Sequence, residues 1–120
     1  MNAYTAINAA NAMLAEVKAE APVFTKRPTI AAIQAKVAAY YGLPSIEMVS
    51  QRRARKFARP RQVAMYLCAE LTTHSMSRIG VFFGGRDHTT VIYAVNLIAK
   101  LATNERKLEA DLGELRSRLA

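Results

Sequence analysis

Apolar side chains recur every three or four residues along most of this chain, with polar residues between them. That spacing places the apolar side chains on one face of an α-helix, whereas a half-buried strand would show strict alternation. The pattern predicts helices over about 3–20, 29–41, 60–73, 75–83, 87–101 and 104–119, with one further helical turn after Ser45. No segment gives a convincing strand pattern, so we expect an all-α fold.

Capping and breaking residues agree with these boundaries. Thr29, Ser75 and Asp87 carry the side chains that helix N-termini favour. Gly42 is well placed to end a helix, because glycine adopts the left-handed backbone found after many helix C-termini. Pro60 is expected at the first position of its helix, where a proline loses no helical hydrogen bond.

A glycine pair, Gly84-Gly85, joins two of the predicted helices. Two helices connected by such a tight turn predict a helix-turn-helix, and the first turn of the second helix then reaches base edges in the major groove. In this chain the first turn of the second helix is polar, and it directly follows Arg86. The alternative is that these residues only cap a helix, which needs one such residue rather than four. We expect base contacts from Asp87, His88, Thr89 and Thr90, and a phosphate contact from Arg86.

Charge is distributed unevenly along the chain. There are 17 Lys and Arg against 9 Asp and Glu, which gives a net charge of +8. No acidic residue lies between Glu47 and Glu70, and that interval holds Arg52, Arg53, Arg55, Lys56, Arg59 and Arg61. The cluster favours a polyanionic partner, although a solvated charge run is the alternative. We expect one arginine of this segment to enter a minor groove, and Arg61 and Gln62 to contact phosphates.

Other kinds of chemistry find little support in the sequence. The single Cys68 is expected to be a buried thiol, and together with His74 and His88 it lacks the spacing of metal ligands. No catalytic constellation is recognisable, so we expect neither an enzyme nor a cofactor or metal site. No apolar run is long enough to span a membrane, and the N-terminus lacks a secretory signal. We expect a cytoplasmic, nucleoid-associated protein without a membrane partner.

Residues from about 33 to 101 resemble the C-terminal DNA-binding domain of the bacterial replication initiator DnaA. The matching blocks are Val37-Ala38-Ala39-Tyr40-Tyr41, the arginine run leading into Arg59-Pro60-Arg61-Gln62-Val63-Ala64-Met65-Tyr66-Leu67, Glu70-Leu71-Thr72, Ile79-Gly80 and Phe83-Gly84-Gly85-Arg86-Asp87-His88-Thr89-Thr90-Val91. The last block is the signature of that family. The resemblance implies a helix-turn-helix bundle related to the Trp-repressor fold, which binds a short A·T-rich site of the TTATCCACA type as a monomer.

The same resemblance implies roles for particular residues. Arg53 matches the minor-groove arginine of the family, and residues 87–90 match its major-groove readers. The positions that match phosphate contacts, or lie near them, are Arg61, Gln62, Thr72, Ser75 and Arg86. The chain departs from the family at Ala69, usually a basic residue, and at Met76-Ser77, usually Leu-Pro. These departures remove some expected contacts with the DNA backbone and leave the base-reading set intact.

The initiator also has an ATPase module with a phosphate-binding glycine loop, and this sequence contains no such loop. Residues 1–28 show no resemblance to the end of that ATPase. We therefore expect a standalone protein that cannot hydrolyse ATP. Its expected parts are an N-terminal helix and linker (1–28), the DNA-binding domain (29–103) and a C-terminal helix (104–120).

Two functions remain open from the sequence. The favoured one is a regulator that occupies DnaA-box-like sites in double-stranded DNA and thereby controls replication initiation or transcription. The alternative is an adaptor that binds a protein of the replication machinery through its terminal helices, with DNA binding secondary. Leucines 101, 108, 112, 115 and 119 lie at spacings that suit either packing on the same domain or dimerisation.

Overall fold

A computed structural model describes residues 27–120 of the protein. Within this range the chain forms five α-helices, one 3-10 turn and no strand, which confirms the all-α prediction. The helices are α1 (Ile30–Tyr40), α2 (Arg55–Leu71), α3 (Met76–Phe82), α4 (His88–Ala102) and α5 (Arg106–Leu119), and the 3-10 turn is Ser45–Met48. The helix predicted over 3–20 and most of the linker predicted over 21–28 lie outside the described residues.

Two of the predicted caps form as expected. The hydroxyl of Thr29 accepts a hydrogen bond from the backbone N–H of Ala32 at 3.0 Å. The hydroxyl of Ser75 accepts one from the N–H of Arg78 at 3.1 Å. Each hydroxyl therefore satisfies one of the backbone donors that a helix leaves unpaired at its first turn.

The start of α2 corrects the sequence prediction. The helix begins at Arg55, so that Pro60 lies inside it rather than at its first position. The carbonyl of Ala54 accepts from the N–H groups of Phe57 and Ala58, both at 2.9 Å, which forms the first turn. A proline within a helix removes one hydrogen bond, but alanine, arginine and lysine upstream have high helix propensity. The segment between the 3-10 turn and α2 is therefore short, and most of the cations between Glu47 and Glu70 lie on α2.

One hydrophobic core joins all five helices. Its fully buried side chains come from each of them and include Ile33, Val37, Val63, Leu67, Ile79, Val95, Ile98, Leu112 and Leu115. The core also takes in Phe83, at the end of α3, and Val91, at the start of α4. The turn of the helix-turn-helix is thus anchored on both sides.

The leucine stripe of α5 packs into this same core. Leu108, Leu112, Leu115 and Leu119 are between 0% and 9% exposed within the single chain. They are therefore not free to form an interface with a second copy. The structure selects packing on the same domain over dimerisation for this stripe.

Polar contacts fasten α5 at two further points. The buried carboxylate of Asp111 accepts hydrogen bonds from the hydroxyls of Tyr40 at 2.6 Å and Tyr41 at 3.1 Å. Arg116 forms a two-pronged ion pair with Glu70, with nitrogen–oxygen distances of 2.5 and 2.7 Å. Such paired geometry is among the stronger polar interactions in proteins, so α5 is an integral part of the bundle.

Candidate nucleic-acid interface

The turn between α3 and α4 has the geometry of a helix-turn-helix. Gly84 and Gly85 both adopt positive φ, at 80° and 73°, as the glycine pair predicts. The N–H of Gly85 donates to the carbonyl of Val81 at 3.3 Å, and the N–H of Arg86 donates to that of Gly80 at 2.9 Å. These bonds close the end of α3 and redirect the chain into α4 within five residues.

The first turn of α4 is presented to solvent. His88, Thr89 and Thr90 are all exposed. The next residue, Val91, is fully buried, and Ala94, Val95 and Ile98 continue the buried face at helical spacing. Because the inner face is fixed in the core, the polar first turn is held outward in a defined direction. This is the placement that the sequence predicts for the base-reading residues.

Asp87 occupies the N-cap position of α4, but its side chain makes no capping hydrogen bond there. Its carboxylate instead accepts a hydrogen bond from the hydroxyl of Thr89 at 2.6 Å and lies 3.0 Å from Nδ1 of His88. The hydrogen bond from Thr89 is the main cause of a lowered pKa of the Asp87 carboxyl. Asp87 therefore stays ionised and fixes the orientation of the two side chains beside it.

Arg53 lies in the short segment between the 3-10 turn and α2. Its side chain is exposed and makes no hydrogen bond or ion pair with any of the described residues. Its neighbour Arg52 stacks on the ring of Phe57 at 4.9 Å and approaches the carboxylate of Glu47 at 3.7 Å. The segment is thus held in place as expected, while Arg53 is left available to a partner.

The two arginines expected at phosphates have other partners in the structure. Arg61 is buried, and its guanidinium donates to main-chain and side-chain oxygens between Glu47 and Arg52. Arg86 is half-buried and donates to the carbonyls of Phe83 and Ser50. Burial lowers the pKa of both guanidinium groups. Arg61 in particular is not presented to solvent, which corrects its expected position.

The remaining predicted phosphate contacts lie at helix ends or beside the groove between α2 and α4. Thr72, just after α2, donates its hydroxyl proton to the carbonyl of Cys68 at 2.6 Å. Ser75 caps α3, as described above. Gln62 is half-buried and lines a groove together with Arg86 and Thr90. The structure therefore brings Gln62 next to the first turn of α4.

Sequence reasoning missed Tyr93. This residue lies three and four positions after Thr90 and Thr89, so it shares their face of α4, and its side chain is 62% exposed. It lines a concave groove with Leu97 of α4 and with residues of the basic segment and α2, namely Arg53, Arg55, Ala58, Arg59 and Gln62. The signal was available in the sequence as an aromatic residue outside the apolar stripe of the helix.

Comparison of the amino-acid sequence with those of known proteins places the chain in a family. The sequence profile of the bacterial dnaA protein helix-turn-helix matches residues 30–98 of the chain. The chain belongs to this DnaA family. It therefore carries a DNA-binding helix-turn-helix, and the DnaA resemblance read from the sequence is confirmed. This module of DnaA is not a catalytic one.

Several relatives are chromosomal replication initiator proteins DnaA. The chain is 46% identical to the one from Sphingopyxis alaskensis over 121 aligned residues, which cover 98% of this chain and 27% of that protein. It is 55% identical to the one from Dechloromonas aromatica over 80 residues, covering 67% of this chain and 17% of that protein. The chain thus spans about a quarter or less of the length of these relatives.

The first of these matches covers 98% of the chain and therefore extends through most of residues 1–28.

Residues 27–120 contain no group of His, Cys, Asp and Glu side chains that could hold a metal ion. None of the helices in that range is long and apolar enough to cross a membrane. The outward first turn of α4 and the groove lined by Arg53 and Tyr93 form the candidate nucleic-acid interface.

Proposed function

We propose that this chain binds double-stranded DNA sequence-specifically at DnaA-box-like, A·T-rich sites. By occupying such sites it acts in replication initiation or in transcription control, and it does so without ATP hydrolysis. The observation that carries the proposal is the exposed first turn of α4, where Asp87 orients His88 and Thr89 for contact with base edges. The major groove of DNA is wide enough to admit one α-helix. The hydrogen-bond donors and acceptors on the base edges in that groove distinguish all four base pairs.

The proposed roles follow from exposure. His88, Thr89 and Thr90 read bases in the major groove, and Asp87 either accepts from a cytosine amino group or serves to orient its neighbours. Arg53 is an exposed cation that lines a groove with Tyr93 of α4, and it enters the minor groove, where narrow A·T-rich sequence concentrates negative potential. Gln62, Thr72 and Ser75 lie at or near the DNA backbone.

The experiment that tests the function compares a labelled duplex containing TTATCCACA with a scrambled duplex of the same composition at two salt concentrations. A preference of ~10³-fold or more, at the lower end for specific DNA-binding proteins, supports sequence-specific recognition. Equal affinity for both duplexes, with steep salt dependence, would reduce the chain to a general DNA-coating protein.

A matched pair of variants locates the site on the molecule. Arg53→Ala is expected to lower the affinity for the TTATCCACA duplex and to reduce discrimination at its A·T-rich end. Arg106→Ala removes the same charge from an exposed residue at the start of α5, at the far end of α4 from His88. Equal losses from both substitutions would show that only net charge matters and that the assignment of Arg53 is wrong.

A further inference from the structure

Two guanidinium groups converge on the segment that precedes Arg53. The guanidinium of Arg61 donates to the carbonyl of Glu47 through Nε at 3.2 Å and through Nη2 at 3.0 Å. Its Nη2 also donates to the hydroxyl of Ser50 at 3.0 Å. Its Nη1 donates to the carbonyl of Arg52 at 3.1 Å. A single buried side chain thus bonds three positions of one short segment.

Arg86 bonds the same segment. Its Nη2 donates to the carbonyl of Ser50 at 2.6 Å, and its Nη1 donates to the carbonyl of Phe83 at 2.5 Å. The main chain of the segment also lies against the helix-turn-helix turn, since a Cβ added to Gly84 would stand 2.5 Å from the carbonyl oxygen of Val49. Arg61 and Arg86, which we call the arginine clasp, therefore tie residues 47–52 to both α2 and the turn.

The clasp lies next to both proposed reading elements. Arg53 directly follows Arg52, whose carbonyl is bonded by Arg61, and Asp87 directly follows Arg86. The exposed arginine and the polar first turn of α4 are thus each one residue away from a clasp contact. Without these bonds, the segment would have to be ordered when DNA binds, at a cost in conformational entropy.

The chemistry of the clasp requires arginine rather than a simple positive charge. Arg61 uses three nitrogens of one planar group to reach acceptors in different directions, which a lysine ammonium cannot reproduce. The buried carboxylate of Glu47 lies within the same segment and accepts a hydrogen bond from the hydroxyl of Ser50 at 2.7 Å. This negative charge helps to compensate for the two cations placed beside each other.

We propose that Arg61 and Arg86 are positioning residues that preset the distance between Arg53 and the first turn of α4. Minor-groove and major-groove contacts are then made in a fixed register, because the free protein already holds both elements in place. This inference rests on the proposed DNA-binding function. It differs from a direct phosphate contact in that Arg61 acts through Arg53.

A double-mutant cycle distinguishes a positioning role of Arg61 from a direct contact between Arg61 and a phosphate. Arg61→Lys, which keeps the charge, is expected to lower the affinity for the TTATCCACA duplex roughly tenfold when Arg53 is present. In the Arg53→Ala background the same substitution is expected to cost less than about twofold, because the residue that it positions is already missing. Equal fold losses in both backgrounds would overturn the proposal.

Salt dependence supplies an independent readout. Within the Arg53→Ala background, Arg61→Ala is expected to leave the slope of log affinity against log salt unchanged. A direct phosphate contact would instead reduce that slope by about one. Unfolding melts identify variants that do not fold. If the Arg61 variants do not fold, the same double-mutant cycle is made with Arg86→Lys. Equal losses of affinity from Arg86→Lys with and without Arg53→Ala overturn the proposal as well.

The failure of this inference is distinguishable from the failure of the proposed function. A wild-type protein that shows no preference for the TTATCCACA duplex contradicts the function itself. A wild-type protein that keeps the preference, together with additive losses in the cycle, contradicts the clasp alone.

Discussion

At the scale of single residues, the interface depends on side chains that the core does not use. His88 and Thr89 are exposed, yet Asp87 restricts both of them through contacts of 3.0 and 2.6 Å. A restricted side chain loses less rotamer entropy when it meets a base, so its contact with the base contributes more to affinity. Exposure by itself would not give this advantage.

His88→Ala is therefore expected to cost ~1–3 kcal/mol of binding free energy on the TTATCCACA duplex and to relax specificity. The histidine side chain can donate a hydrogen bond to a purine N7, which alanine cannot replace. Binding of wild type and variant to the target and scrambled duplexes measures the effect. Should the variant keep the wild-type ratio between the two duplexes, the role of His88 as a base reader would be wrong.

At the scale of elements, the glycine turn determines where α4 begins. Gly84 combines a positive φ of 80° with a close approach to the carbonyl oxygen of Val49. Gly84→Ala is expected to destabilise the fold by ~1–2 kcal/mol or more, since the added Cβ is strained in that conformation and also meets this carbonyl oxygen. Urea unfolding measures the change.

Gly113→Ala is the matched control for this substitution. Gly113 lies within α5, is exposed, and a Cβ added there meets nothing within 4 Å. Alanine at an exposed helical position is expected to stabilise by ~0.5–1 kcal/mol. Opposite signs for the two substitutions support the turn geometry, and a Gly84→Ala protein as stable as wild type would contradict it.

The sequence predicted these elements well where a local rule governs them. The caps at Thr29 and Ser75 and the turn at Gly84 follow from short-range backbone chemistry, which a local stretch of sequence contains. The predicted start of α2 was wrong, because good helix formers upstream of Pro60 outweighed the preference of proline for the first position of a helix.

The position of Arg61 was not predictable for a different reason. Its acceptors lie between nine and fourteen residues away along the chain, and only the packing of the 3-10 turn against α2 brings them together. An arginine in a basic run has the same local sequence whether it faces solvent or a buried carbonyl. Tertiary contacts of this kind separate the clasp arginines from the free Arg53.

At the scale of the whole molecule, acidic side chains and cations differ in where they lie. Glu47 and Asp111 are buried and Glu70 pairs with Arg116, so these acidic groups are directed toward internal partners. The exposed Arg53 and Arg55 have no acidic partner among the described residues. The excess of cations over acidic residues between Glu47 and Glu70 favours association of this region with DNA.

Burial of tyrosine hydroxyls also links stability of the whole fold to pH. Burial, together with the charge of Glu70, raises the pKa of Tyr66 to about 12, whereas a tyrosine in an unfolded chain titrates near 10. Between these values the unfolded state has lost the proton and the folded state still holds it, so the free energy of unfolding falls as pH rises from about 10 to 12. At ~1.4 kcal/mol per pKa unit, this loss approaches ~3 kcal/mol.

Tyr66→Phe is expected to remove this part of the alkaline destabilisation, because phenylalanine has no proton to lose. Urea unfolding of wild type and variant at pH 8 and at about pH 11 measures the difference in slope. Tyr93→Phe is the matched control, since Tyr93 is 62% exposed whereas Tyr66 is 9% exposed. If Tyr66→Phe and Tyr93→Phe lose stability with pH as steeply as wild type does, the buried Tyr66 hydroxyl does not link folding to pH.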